Sequence, residues 1–165
     1  MDRLDAIAQA WQRERPDVDV RALTLLGRLL RSAALMDAKL TEGLAGFELQ
    51  RGWFDLLAAL RRAGEPFALN PTQLMRATML SSGGMTKRLD RLEAAGLVER
   101  RPDATDRRAT LACLTALGRS LIDETLPVHV ANEERLLAGL SARERDTLDA
   151  LLRKLLVGLE EPERA

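Results

Sequence analysis

The chain has 165 residues, 46% hydrophobic and 30% charged, a balance that builds a core and excludes a disordered chain. Its 25 basic and 25 acidic residues cancel, so overall charge does not announce a nucleic-acid partner. A single cysteine, Cys113, excludes an internal disulfide framework and a multi-cysteine zinc site. No apolar run approaches the roughly 18 residues of a membrane span, and the N-terminus, MDRLDAIAQAWQRERPD, lacks the apolar region of a signal peptide. The expectation is a cytoplasmic protein with no membrane partner. With aromatics at 3% and no tyrosine, leucine and alanine must fill the core, and both favour helices.

In chain order, Leu4 to Arg13 reads as a short amphipathic helix ending before Pro16. A long helix follows from about Val20 to Glu42, with an apolar stripe at Leu23, Leu26, Leu30, Ala33, Leu40 and Leu44 that Asp37 interrupts. Glu48 to Ala63 makes a further helix with Trp53, Leu57 and Leu60 on one face, closed by Gly64 and Pro66. Asn70-Pro71 opens the next in the preferred way, Asn as N-cap and Pro at the first helical position. That helix runs to about Met79. Ser81 to Gly84 makes a tight connection, and a second short helix runs from about Ser82 to Ala95, ended by Gly96. Two short helices joined by a glycine-containing turn form a helix-turn-helix candidate.

Beyond Gly96 the period changes. Residues 97–100 form a short strand, 101–107 a polar turn and 109–114 a second strand, together a β-hairpin wing. From Leu117 the chain is helical again, with Pro127 predicting a kink or break. Ser141 and Glu144 have capping-box spacing and open the last helix, whose Leu148, Leu151, Leu152, Leu155 and Leu159 share a broad apolar face. The predicted fold is mainly α with a small β-hairpin wing: N-terminal dimerisation helices in 1–47, a winged helix-turn-helix lobe in 48–116, and C-terminal dimerisation helices in 117–165. The terminal helices carry more leucine stripe than a small lobe can cover. A symmetric homodimer is the commonest remedy, and packing back onto the same chain is the alternative.

The helix from Ser82 to Ala95 carries the functional reading. At 100° per residue, Met85, Leu89 and Leu92 face the core, while Gly83, Thr86, Lys87 and Asp90 face away with Arg91 beside them. A small polar N-terminal end fits a major groove about 12 Å wide. Ser81, Ser82 and Thr86 are candidates for phosphate or base-edge contact, and Lys87 for phosphate or guanine. Residues 81–108 carry seven basic against five acidic side chains, a small excess that permits DNA binding without establishing it. At the wing tip, Arg107 and Arg108 suit a narrow, electronegative minor groove. Asp106 is suited to holding Arg108 extended through a bidentate pair. The plainer reading is a solvated helix face and a loop with chance charges. The capped helix before and the hairpin after weigh against it.

The run SSGGMTKRLDRLEAAGLVERRPDATDRRATLACLT resembles the recognition helix and wing of the MarR family of bacterial regulators. Asp106-Arg107-Arg108 and Leu114-Thr115 are its most specific parts. The resemblance implies a triangular homodimer, two winged lobes and a pseudo-palindromic operator, usually repressed. Arg88 stands apart. It lies about 60° from the apolar stripe, toward the crease with the dimer lobe, where a guanidinium needs an anionic partner such as Asp55 or Asp37. Trp11, Asp55, Arg88 and Arg100 match the places that a urate-responsive sub-branch of the family uses. The resemblance implies a planar anionic heterocycle held by two arginines and packed on an indole. A structural Asp–Arg pair, with Trp11 serving only helix packing, is the alternative.

Cys113 reads as an inert strand residue, and His129 has no second ligand nearby for a metal. No Gly-rich phosphate loop, Ser/His or Cys/His constellation or metal spacing marks an enzyme, so neither metal nor cofactor is expected. A helical adaptor without DNA binding is the rival class.

Overall fold

A computed structural model describes residues 2–78, 84–103 and 110–160. Helix α1 (Arg3–Glu14) begins at a capping box in which Asp2 accepts from the Leu4 and Asp5 amides while Asp5 accepts from the Asp2 amide. Arg28 of α2 (Arg21–Leu44) reaches back to both carboxylates, 2.7 Å from Asp2. It holds the Asp2 carboxyl down to about 2, and so pins α1 along α2.

Only Thr24 and Leu44 of α2 are buried. The first part of the apolar stripe stands open, with Leu23 at 44%, Leu26 at 51% and Leu30 at 69% exposure, and only its end at Leu44 is buried. A short 3-10 turn, Ala45–Phe47, leads to Glu48, whose φ of 55° is left-handed. The helix expected from Glu48 therefore begins later, as α3 (Arg51–Arg62) behind Gln50. This is the central helix. Phe54, Leu56, Leu57, Ala59 and Leu60 are all buried, each large one worth about 1.5–3 kcal/mol of transfer energy.

Strand β1 (Ala68–Leu69) is followed by α4 (Pro71–Ala77), where Asn70 and Gln73 cap each other reciprocally at 2.9 Å. Helix α5 (Met85–Ala94) starts after Gly84, whose φ of 90° is outside helical space, so the expected start at Ser82 is corrected to Met85. Strands β2 (Val98–Pro102) and β3 (Thr110–Leu114) form the expected antiparallel pair, with Arg100 opposite Ala112. Strand β1 joins β3 on its other side, giving the order β1-β3-β2. A two-residue strand is too short to show alternation, which is why the periodicity argument missed it.

Helix α6 (Ala116–Leu136) runs unbroken through Pro127, contrary to a break there. Ile122, Thr125 and His129 are buried on both sides of the proline, and that packing holds the helix together across the missing hydrogen bond. Helix α7 (Ala142–Glu160) buries no residue among those described, and Leu151 and Leu159 are 62% and 72% exposed. One core runs from Leu44 through α3, Leu74, α5 and the sheet to Ile122. No described helix is long and apolar enough to cross a membrane.

Candidate nucleic-acid interface and effector cleft

Met85, Leu89 and Leu92 seat α5 on the core at 4%, 4% and 0% exposure, as their spacing predicts. Thr86, Lys87 and Arg91 consequently project into solvent from the opposite face. Ser81, Ser82, Gly83, Asp106, Arg107 and Arg108 lie outside the described residues. What is described of the wing is its base, and Arg100 organises it. Its guanidinium reaches Asp90 at 2.5 Å and also Glu93, both on α5, while its amide donates to Glu93 at 3.2 Å. The strand is thereby latched to the helix, and the Asp90 carboxylate, on the outward face where it would repel phosphate, is neutralised. The hydrogen bond to Asp90 raises the Arg100 pKa.

The far end of α5 is tied to α6. Thr115 accepts from the Gly118 amide at 3.0 Å as N-cap of α6 and donates to the Gly96 carbonyl at 2.7 Å. The Thr115 amide donates to the Leu97 carbonyl at 3.2 Å. A shift of α6 therefore reaches the turn that ends α5.

Arg88 is half-buried and turned inward. A Cβ built on Gly52, in the first turn of α3, would lie 2.9 Å from its Nε. The neighbouring residues of α3 open a cleft of about 270 Å³ against α6, lined by Arg51, Asp55, Ala58, Arg62, Leu126 and His129 among others. Arg51 lies 3.6 Å from Asp55. The His129 ring, only 5% exposed, stacks 4.2 Å from Phe54 and sets Nε2 3.3 Å from Glu133. Among the described residues, Arg51 Nη1 and His129 Nδ1 are buried without a hydrogen-bond partner, an arrangement that suits a polar ligand or water. Burial drives the Asp55 carboxyl up against the pull of Arg51, and drives the His129 imidazole down against the pull of Glu133.

The four residues matched to the urate-responsive pattern are not gathered in one place within the chain. Asp55 lines the cleft, but Trp11, Arg88 and Arg100 do not. Trp11 is 44% exposed and borders a separate hollow with Ile7, Ala10 and Glu14 of its own helix. Arg100 is engaged by Asp90 and Glu93, and Asp55 faces Arg51 rather than the expected Arg88. Arg51 and His129 escaped sequence reasoning, although Arg51 and Asp55 have the i,i+4 spacing of a helix-surface pair. No described group of His, Cys, Asp and Glu side chains could hold a metal ion.

Comparison with known proteins decides the family. The MarR family model matches residues 47–109, which span α3 to the wing. The transcriptional regulator PecS of Dickeya dadantii is 41% identical over 146 residues, covering 88% of each chain. The chain belongs to the MarR family. A mutant MarR of Escherichia coli complexed with operator DNA shares its fold at a TM-score of 0.74, with 30% identity over 84% of this chain and 99% of that one. BpsR of Bordetella bronchiseptica, whose DNA binding is regulated by 6-hydroxynicotinic acid, superposes at 0.71, with 30% identity over 78% and 91%. The relatives are transcriptional regulators, and this MarR-family chain has their winged helix-turn-helix.

Proposed function

We propose that this MarR-family protein is a homodimeric repressor that reads a pseudo-palindromic operator with α5 and the wing, and releases it on binding a small planar anion. The observation that carries DNA reading is the division of α5: Met85, Leu89 and Leu92 anchor one face while Thr86, Lys87 and Arg91 stand free on the other. Ser81, Ser82 and Gly83 are assigned to the reading edge, Arg107 and Arg108 to the minor groove, and Asp106 to a pair with Arg108. The homodimer is supported by the open leucines of α2 and α7, a larger apolar surface than a monomer ordinarily leaves in water. Residues 1–47 and 117–165 pair the protomers, leaving 48–116 as the DNA lobe.

The effector site is the α3–α6 cleft, where the unpaired Arg51 Nη1 donor stands against two acceptors, His129 Nδ1 (its Nε2 proton being turned to Glu133) and the Asp55 carboxylate, and so offers a planar heterocycle both kinds of hydrogen bond. Urate, with acidic and donor N–H groups, has that chemistry, as does the hydroxypyridine acid named for BpsR. Trp11, Arg88 and Arg100 join the site only if dimerisation and ligand binding rearrange them.

Fluorescence anisotropy with duplex from the chain's own upstream region tests the reading. Lys87→Ala and Arg108→Ala should each weaken binding and lower the salt slope by about 1 while light scattering still reports a dimer. Unchanged affinity in both variants would refute DNA reading by this face. For the ligand, titrated urate should release DNA and quench Trp fluorescence, with Trp11→Phe separating that signal from Trp53. No heat of binding and no release would remove the urate assignment.

A further inference from the structure

We propose that Gly52 is a positioning residue for DNA reading: its bare backbone is the notch in which Arg88 lies, and a side chain there displaces the N-terminal end of α5. The inference rests on α5 being the reading helix, and it adds a residue that touches neither DNA nor ligand.

The geometry is specific. A Cβ on Gly52 would stand 2.9 Å from Nε, 3.4 Å from Cδ and 3.8 Å from Cζ of Arg88. The Arg88 side chain therefore lies beside the first turn of α3, with Cδ, Nε and Cζ all within 4 Å of where a side chain at Gly52 would begin. The same guanidinium passes 3.1 Å from where a Cβ on Gly84 would be. Gly84 is the N-cap of α5, with a φ of 90° that already favours glycine. Arg88 is thus held between the start of α3 and the start of its own helix, one residue from Lys87 on the outward face. Met85, Leu89 and Leu92 hold one side of α5 in the core. The Arg88 seat adds a second support beside the first turn, next to Lys87.

Glycine has no other evident reason to stand at Gly52. Its φ is not in the left-handed range, and alanine in a helix is more favourable than glycine by about 0.5–1 kcal/mol. A contact below 3.0 Å at Nε, where the guanidinium begins, requires Arg88 to shift. Gly52 also sits between Arg51 and Asp55, which line the cleft. A ligand that moves the first turn of α3 moves the floor beneath Arg88, so the notch provides a mechanical route from cleft to reading helix.

The test is a double-mutant cycle on operator binding, using the full chain and its own upstream duplex. Gly52→Ala should weaken binding about tenfold, with an unchanged salt slope because no phosphate contact is removed. Its melting temperature should equal or exceed that of the parent. In an Arg88→Ala background, where nothing remains to collide, Gly52→Ala should change affinity less than twofold. Equal losses in both backgrounds, or no loss in the parent, would overturn the notch. A parent chain that itself fails to bind the duplex would instead overturn the reading on which the notch depends. A fall in melting temperature in both backgrounds would also overturn it, by showing the glycine to be structural.

Discussion

Gly118→Ala offers a sharp test of how the end of α5 is joined to α6. Gly118 is in the first turn of α6, and its built Cβ would lie 2.0 Å from the Leu97 carbonyl oxygen and 2.9 Å from the carbonyl carbon. Carbon and oxygen approach no closer than about 3.3 Å even in a favourable C–H···O contact, so helix and turn must part by about 1.3 Å. That movement breaks the bonds from Thr115 to the Leu97 and Gly96 carbonyls, each worth about 1 kcal/mol. Overpacking adds about 1–3 kcal/mol, and the better helix propensity of alanine returns only about 0.5–1 kcal/mol. The net expectation is a loss of about 3 kcal/mol. Urea unfolding at fixed protein concentration should show the midpoint falling by about 1.5 M for a slope of about 2 kcal/mol/M. Because the turn ends α5, operator affinity should fall as well. A midpoint within about 0.2 M of the parent would refute the reasoning, since the backbone would then have absorbed the methyl group without breaking the joint.

Two further expectations concern the cleft. The Asp55 carboxyl is raised by burial, so the stability it contributes is present at acid pH and lost as pH rises through its folded pKa. Asp55→Asn should therefore raise the melting temperature at neutral pH while weakening urate-induced release; a lower melting temperature would contradict the assigned cost of burial. His129, the chain's only histidine, is lowered by burial and faces Glu133, Arg51 and Asp55. The unfolded chain takes up its proton near pH 6.5 and the folded chain resists it, so stability should fall as pH drops below about 6.5. His129→Gln should flatten that slope in melting curves from pH 7.5 to 5.5, and an unaltered slope would assign the dependence elsewhere.

The family signature and the outward face of α5 were legible in the sequence because both rest on local rules. Helical period alone places Met85, Leu89 and Leu92 opposite Thr86 and Lys87, and capping chemistry alone starts α4 at Asn70. Strand β1 was not legible, since Ala68 and Leu69 are a strand only because β3 lies beside them. The continuity of α6 across Pro127 was likewise settled by neighbouring packing, which overrides local propensity, while left-handed backbone at Glu48 and Gly84 moved the starts of α3 and α5.

The candidate effector residues divide in the same way. The helical wheel gave the direction of Arg88, which is half-buried, and Asp55 was offered beside Asp37 only as a partner for it. Their partners were not determined, because a wheel says nothing of the opposing surface. Arg100 turned to Asp90 and Glu93, Asp55 faced Arg51, and His129, an isolated histidine in sequence, became the buried wall of a cleft. Gly52 shows the limit most plainly. By itself it is a weak residue in a helix, and only Arg88, brought from 36 positions further along the chain, turns its missing side chain into a contact surface. The sequence alone determined the two faces of α5. The tertiary structure decided what packs against them, because close approach between distant segments is not a local property of any of them.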